Sequence, residues 1–180
     1  RLFQEAREFD VSDNGQQTLF WLQNCFDLID NNMFRMHQVY FSPGTEILES
    51  ISELLRQAQE TLDLCVFTIT DERLASDLVE CLDRGIKIRL ITDDDKIYDN
   101  GSAIYNLKNA GIPVKIDHSQ YHMHHKFGII DSRIVFTGSF NWTYTASKHN
   151  QENLLVTSNY EIVKQYAEEY EILWKEMFWL

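Results

Sequence analysis

Apolar positions fall at helical spacing in several stretches of the chain and in short unbroken runs between them. Residues 45–60 put Ile47, Leu48, Ile51, Leu54, Leu55 and Ala58 on one stripe, which predicts an amphipathic helix. Before it, Val39–Phe41 reads as a short strand ending at the turn signal Ser42-Pro43-Gly44. After it, the β-branched and aromatic run Leu62–Thr70 predicts a buried strand. Asp71 then caps a helix to about Arg84, with Gly85 as its C′ residue. The alternation continues with a strand over Ile86–Thr92, a short helix over Ser102–Ala110 closed by Gly111, and a strand over Val114–Asp117. His124–Ile130 and Ile134–Thr137 lie so close in sequence that they read as a hairpin. Glu152–Thr157 predicts a further strand, and Ser158 caps a long final helix reaching Trp174 or beyond. Upstream, Leu19, Leu22, Phe26 and Ile29 predict a helix over Gln17–Asn31 with Asp13 or Asn14 as N-cap. Arg1–Asp10 fits either a helical tail or the end of a longer helix.

Strands alternating with helices predict an α/β fold, a mixed β-sheet flanked by helices. The expected organisation is an N-terminal helical extension over 1–36 and one domain over 37–180, without internal repeats. A length of 180 residues allows one ordinary domain and a short appendage. With 44% hydrophobic and 24% charged residues the chain is globular rather than disordered. No apolar run is long enough to span a membrane. The chain begins at Arg1 rather than Met, so an anchor or additional domain before it stays open. Cys25, Cys65 and Cys81 are odd in number and form no CxxC pair, which argues against a disulfide framework or a zinc knuckle. Three buried thiols in a reducing, cytoplasmic compartment are expected.

Charge sharpens the picture. With 16 basic and 28 acidic residues the net charge is −12, so a basic coat for sequence-independent nucleic-acid binding is absent. Residues 114–149 are the exception: Lys115, Lys126, Arg133 and Lys148 outweigh Asp117 and Asp131, and five of the six histidines lie there. That window reads as an anion-facing site on an otherwise acidic chain.

Inside it, His124, Lys126, Asp131, Gly138, Ser139 and Asn141 fit the pattern H-x-K-x4-D-x6-G-S-x-N. Six fixed positions match by chance in about one chain of this length in 10^5–10^6. On a strand, residues two apart share a face, so His124, Lys126 and Gly128 point one way and His125, Phe127 and Ile129 the other. Gly128 is expected to leave room for a ligand backbone. Asp131, near the strand end, reads as structural, while Ser139 and Asn141 bring a hydroxyl and an amide to the same anion. An imidazole beside an ammonium suits attack on a phosphodiester: His124 attacks, and Lys126 and Asn141 stabilise charge on the non-bridging oxygens.

At these residues the chain resembles the phospholipase D superfamily, whose signature is this HKD motif. Phe140-Asn141-Trp142-Thr143 and Asn150-Gln151-Glu152-Asn153 resemble its single-motif branch, which contains bacterial Nuc endonucleases and Zucchini/mitochondrial cardiolipin hydrolases. The resemblance covers about residues 40–176. It implies a nucleophilic His124, phosphate binding by Lys126 and Asn141, support from Ser139, and a mainly structural Asp131 and Gly138. It also implies that Glu152 orients His124 through the far ring nitrogen. The cysteine/histidine zinc insertion of Zucchini proteins is absent, since Pro43 leads directly into the helix from Thr45, so a Nuc-like core is the better template. No cofactor and no metal are implied.

The chemistry needs one histidine to attack and another to protonate the leaving oxygen. One motif per chain therefore implies a homodimer with two motifs across a two-fold axis, the second His124 acting as acid. The resulting expectation is a metal-independent phosphodiesterase, an endonuclease on DNA or RNA with single strands favoured. The alternatives are a cardiolipin hydrolase-like lipid phosphodiesterase acting on phospholipid, and a catalytically inactive binding module. His118, His122 and Lys148 are candidates for the substrate groove. His125 reads as packing, Phe140 and Trp142 as core, Asp93-Asp94-Asp95 as a solvated strand end, and Glu168 and Glu169 as the solvent side of the last helix.

Overall fold

The computed structural model describes residues 13–32 and 36–180. The chain forms two compact units, 1–35 and 36–180. In the first, α1 spans Asp13–Asn32, so Asp13 and Asn14 begin the helix rather than preceding it. The expected tail over Arg1–Asp10 lies outside the described residues.

The second unit is built on one eight-stranded sheet. Its strands are β1 (His37–Phe41), β2 (Thr61–Val66), β3 (Lys87–Thr92), β4 (Val114–Ile116), β5 (Lys126–Ile130), β6 (Ile134–Gly138), β7 (Asn153–Thr157) and β8 (Phe178–Trp179). The order is β1-β7-β6-β5-β2-β3-β4-β8. β2, β3 and β4 are parallel, joined through α3 (Glu72–Asp83) and α4 (Ile104–Ala110); every other pairing is antiparallel. The mixed sheet flanked by helices is therefore present as the alternation predicts.

Burial follows the two-residue period of the strands. Leu62, Leu64, Ile88, Leu90, Ile130, Phe136, Leu154 and Val156 belong to the larger core, with the apolar stripes of α2 (Glu46–Gln57), α3 and α4. Cys65, Ile91, Phe127, Ile129 and Val135 form the smaller core with Val163 and Tyr170 of α6 (Tyr160–Glu176). At α2, Leu48, Ile51 and Leu55 stay under a tenth exposed, as their spacing requires. Arg84 closes that helix by donating to the carbonyls of Leu55, Arg56 and Ala58. All three cysteines are free thiols, but only Cys65 and Cys81 are buried as expected; Cys25, on α1, is half-buried. Among the described residues no helix is long and apolar enough to cross a membrane.

Several boundaries differ from those the pattern predicts. β2 ends at Val66, because Ile69 crosses to bridge Trp142 and the Thr70 amide donates to the Trp142 carbonyl. β5 starts at Lys126, leaving His124 just before the strand. The last helix is capped by Asn159, whose Oδ1 accepts from the Ile162 amide; Ser158 instead accepts from the Met36 amide. The 3-10 turn Asp95–Tyr98, the short helix α5 (Tyr144–Lys148) and the edge strand β8 carry too few residues to show a periodicity.

Candidate active site

The strand directions gather the chemistry at one end of the sheet. Parallel β2, β3 and β4 finish there, leading into Phe67, Asp93 and Asp117-His118. Antiparallel β5 and β7 begin there, after His124 and Glu152. β6 finishes there, leading into Ser139 and Asn141. Crevices at the carboxyl ends of parallel strands are common ligand sites in open α/β sheets.

Phe67 is the platform of the site. The His124 ring packs edge-on against it with centroids 4.5 Å apart, and Lys126 Nζ stands 4.9 Å over its centroid. Lys126 Nζ also donates to the His124 carbonyl at 2.8 Å. His124 and Lys126 are thus brought together although His124 is outside the strand. Neither nitrogen of the His124 ring has a partner among the described residues. Burial lowers its pKa below the ordinary imidazole value. The charges of Lys126 and His122 push the same way, and Asp93 opposes them. The neutral form is thereby favoured. Burial also lowers the Lys126 pKa, against the pull of Glu152.

Asn141 is half-buried, and its Oδ1 is a buried polar atom without a partner, the kind of group that a ligand satisfies. Ser139 Oγ accepts from the Asn153 amide at 3.1 Å and from Asn153 Nδ2 at 3.4 Å, so this hydroxyl ties the end of β6 to the start of β7. Asp131 accepts from the amides of Gln59, Glu60 and Thr61 at 2.7–2.9 Å, pinning the α2–β2 junction to the β5–β6 turn. At Gly138 a Cβ would run into the Asn153 carbonyl, which fixes glycine there.

Two expectations need correction. Gly128 does not leave room for a ligand: a Cβ there would run into the Phe136 ring and Leu64, so the missing side chain makes space for the core. Glu152 does not reach His124. Ser42 grips its backbone from both sides, accepting from the Glu152 amide and donating its own amide to the Glu152 carbonyl at 3.0 Å each. So held, the carboxylate accepts from Asn150 Nδ2 at 3.0 Å and makes no hydrogen bond or ion pair with His124.

The flanking candidates divide. His122 joins the site, its ring 5.4 Å from that of Phe67. His118 pairs with Asp94 at 3.6 Å and packs on Phe178 of the edge strand. Lys148 is exposed at the end of α5. His125 turns to the other face, where it lines a cavity of about 220 Å³ with Phe127, Gln165, Tyr166 and Glu169. Glu169 therefore lines a cavity, while Glu168 pairs loosely with Lys164 at 3.9 Å. Phe140 and Trp142 are core, each 2% exposed.

Asp93 is the residue the sequence pattern misplaces. It is fully buried, not a solvated strand end, and its Oδ2 meets His122 Nδ1 at 3.0 Å. Asp93, Asp95 and His122 bring possible ligand atoms within 4.8 Å of one another. One Asp93 oxygen accepts from the Asp95 amide and the other lies 3.0 Å from His122 Nδ1. The available signal was positional: an Asp directly after a strand whose last three residues are buried, at the sheet end that carries the motif.

Comparison with known proteins agrees with this geometry. Residues 51–174 match the family described as "Cardiolipin synthase, PLD-like domain". Mitochondrial cardiolipin hydrolase of Xenopus tropicalis is 46% identical over 123 residues, 68% of this chain and 59% of that protein. The Homo sapiens protein of the same name is 39% identical over 133 residues, 74% and 53% respectively. The chain thus spans about three fifths of the length of such relatives. Among solved structures, Nuc from Salmonella typhimurium, a phospholipase D family member, is similar with a TM-score of 0.73 and 25% identity. That likeness covers 82% of this chain and 99% of that one. NucT from Helicobacter pylori gives 0.74 and 25%, covering 82% and 100%. The family match takes in most of the chain and the whole of the His124–Asn141 segment, and the chain belongs to the phospholipase D-like domain family.

Proposed function

We propose that this chain hydrolyses phosphodiesters through a phosphohistidine formed on His124. The observation that carries the reading is the Phe67 platform. It holds an imidazole with no partner on either nitrogen, tilted toward its neutral form, beside an ammonium. The imidazole lone pair attacks phosphorus, and Lys126 with the Asn141 amide offsets the charge that builds on the non-bridging oxygens. Water then attacks the phosphohistidine and frees the enzyme. None of these steps requires a metal. We further propose a homodimer, because a two-fold axis places two single motifs in one cleft.

Nucleic acid is the substrate this reading favours. Tyr98, at the end of the 3-10 turn beside Tyr105, and Tyr121, on the loop before β5, are 76% and 74% exposed, and exposed rings of this kind stack unpaired bases. The name borne by relatives at 39–46% identity favours a second reading, a lipid phosphodiester such as cardiolipin. The test is parallel incubation with labelled single-stranded DNA, RNA and cardiolipin vesicles, all in EDTA. Hydrolysis of at least one, abolished by His124→Ala, is expected. Complete loss in EDTA with rescue by Mg²⁺ refutes the mechanism.

A further inference from the structure

A small cavity opens between β5 and α6, on the face of the sheet opposite Lys126. Its volume is about 220 Å³, and His125, Phe127, Gln165, Tyr166 and Glu169 line it. Phe127 follows Lys126 on β5 and so points to the opposite face. Gln165 and Glu169 lie one turn apart on α6 and share a side of that helix. Neither His124 nor Lys126 lines the cavity, so it is separate from the phosphodiester site.

Three of the five lining residues are rings. Phe127 is 2% exposed and forms the floor. The His125 ring stands 5.7 Å from it at 72°, and the Tyr166 ring 4.9 Å from it at 65°. Rings at such steep angles wall a space rather than form a stack. The Tyr166 hydroxyl donates to Thr137 Oγ1 at 3.3 Å, which ties one wall to β6. Glu169 supplies the charge. Its neighbours on α6 are paired, Glu168 with Lys164 at 3.9 Å and Glu171 with Arg89 at 2.7 Å. The Glu169 carboxylate has no hydrogen bond or ion pair among the described residues.

We propose that this cavity binds a small organic cation, an ammonium or guanidinium group on a short carbon chain. Aromatic walls attract a cation through the negative faces of their rings, and a free carboxylate at the rim supplies the counter-charge. The net charge of −12 draws cations to the surface and turns anions away. The volume is below the roughly 300–1,000 Å³ of pockets for drug-sized ligands, so the occupant is the size of a headgroup. The inference stands apart from the reading of His124 as nucleophile.

The test titrates the full chain with choline and, in parallel, with 3,3-dimethyl-1-butanol, in which carbon replaces the charged nitrogen. Backbone and aromatic NMR shifts are followed. Choline should give saturable shifts centred on His125, Phe127, Tyr166 and Glu169. The neutral isostere should bind on the order of ten-fold more weakly or not at all, since it loses both the ring attraction and the ion pair. Glu169→Gln should weaken choline about two- to five-fold, and Tyr166→Leu on the order of ten-fold. A melting curve of Tyr166→Leu controls for folding; Glu169→Gln, on the exposed side of α6, is the second variant. His124→Ala should bind choline as the wild-type chain does, whatever happens to its hydrolytic activity. Equal binding of the two probes makes the cavity a merely apolar groove and overturns the proposal. So do shifts centred on His124 and Lys126, an unchanged affinity in Glu169→Gln, or no saturable shift with choline.

Discussion

At the scale of single residues, the account turns on the state of one imidazole. Burial and the charges of Lys126 and His122 oppose protonation of His124, and only Asp93 pulls the other way. The proton therefore leaves at lower pH than from a free imidazole, and the nucleophilic form persists into mildly acidic solution. An NMR titration should place His124 below 6.5, its ordinary value. The acid limb of kcat/KM should fall in the same range, and a midpoint above 6.5 contradicts the charge pattern around the ring. Lys126→Ala removes the ammonium proposed to meet the phosphate and should lower turnover on the order of 10²–10³-fold, the scale of one lost transition-state partner. A variant with near wild-type turnover excludes Lys126 from the cleft. At this scale the sequence was most informative where spacing alone fixed a neighbour, as for His124 and Lys126. It was least informative where a loop decided direction. Glu152 was misplaced because Ser42, more than a hundred residues away, holds its backbone. Asp93 was misplaced because three adjacent carboxylates look solvated until the end of the strand ahead of them, Leu90–Thr92, proves buried.

At the scale of elements, the motif works because β5 and β6 are pinned where they turn. The single carboxylate of Asp131 takes three backbone amides of the α2–β2 junction. Asp131→Ala should cost about 1–3 kcal/mol, since the half-buried Thr61 amide and its neighbours lose their acceptor. Denaturant midpoints measure this, and an unchanged midpoint shows that water replaces the carboxylate freely. Activity should fall no further than the folded fraction does, because Asp131 touches no reacting group. Periodicity made the helices α2 and α3 and the strands β2 to β7 legible, since each buries an apolar stripe or run. It could not reach β8, a two-residue edge strand whose pairing with β4 depends on where α6 ends. Nor could it distinguish whether Gly128 makes space for a ligand or for Phe136, because an absent side chain reports only that something lies close.

At the scale of the whole molecule, the sheet directions bring residues from six strand ends into one place on a chain of net charge −12. An acidic surface around a locally basic segment repels polyanions until they reach the cleft, so catalysis on nucleic acid should be held back at low salt compared with a basic nuclease. A two-fold dimer should form in solution. Light scattering should give twice 21.3 kDa for the active species, and a fully active species at the monomer mass removes the two-motif cleft. Neither result bears on the central claim as directly as capture of the covalent intermediate. A ³²P-labelled phosphodiester, mixed with excess enzyme and quenched in denaturant within one turnover, should leave label on the protein in an acid-labile, alkali-stable bond. Peptide mapping should place that label on His124, and His124→Ala should carry none. Rapid hydrolysis with no label on the chain, or label on any other residue, contradicts the account.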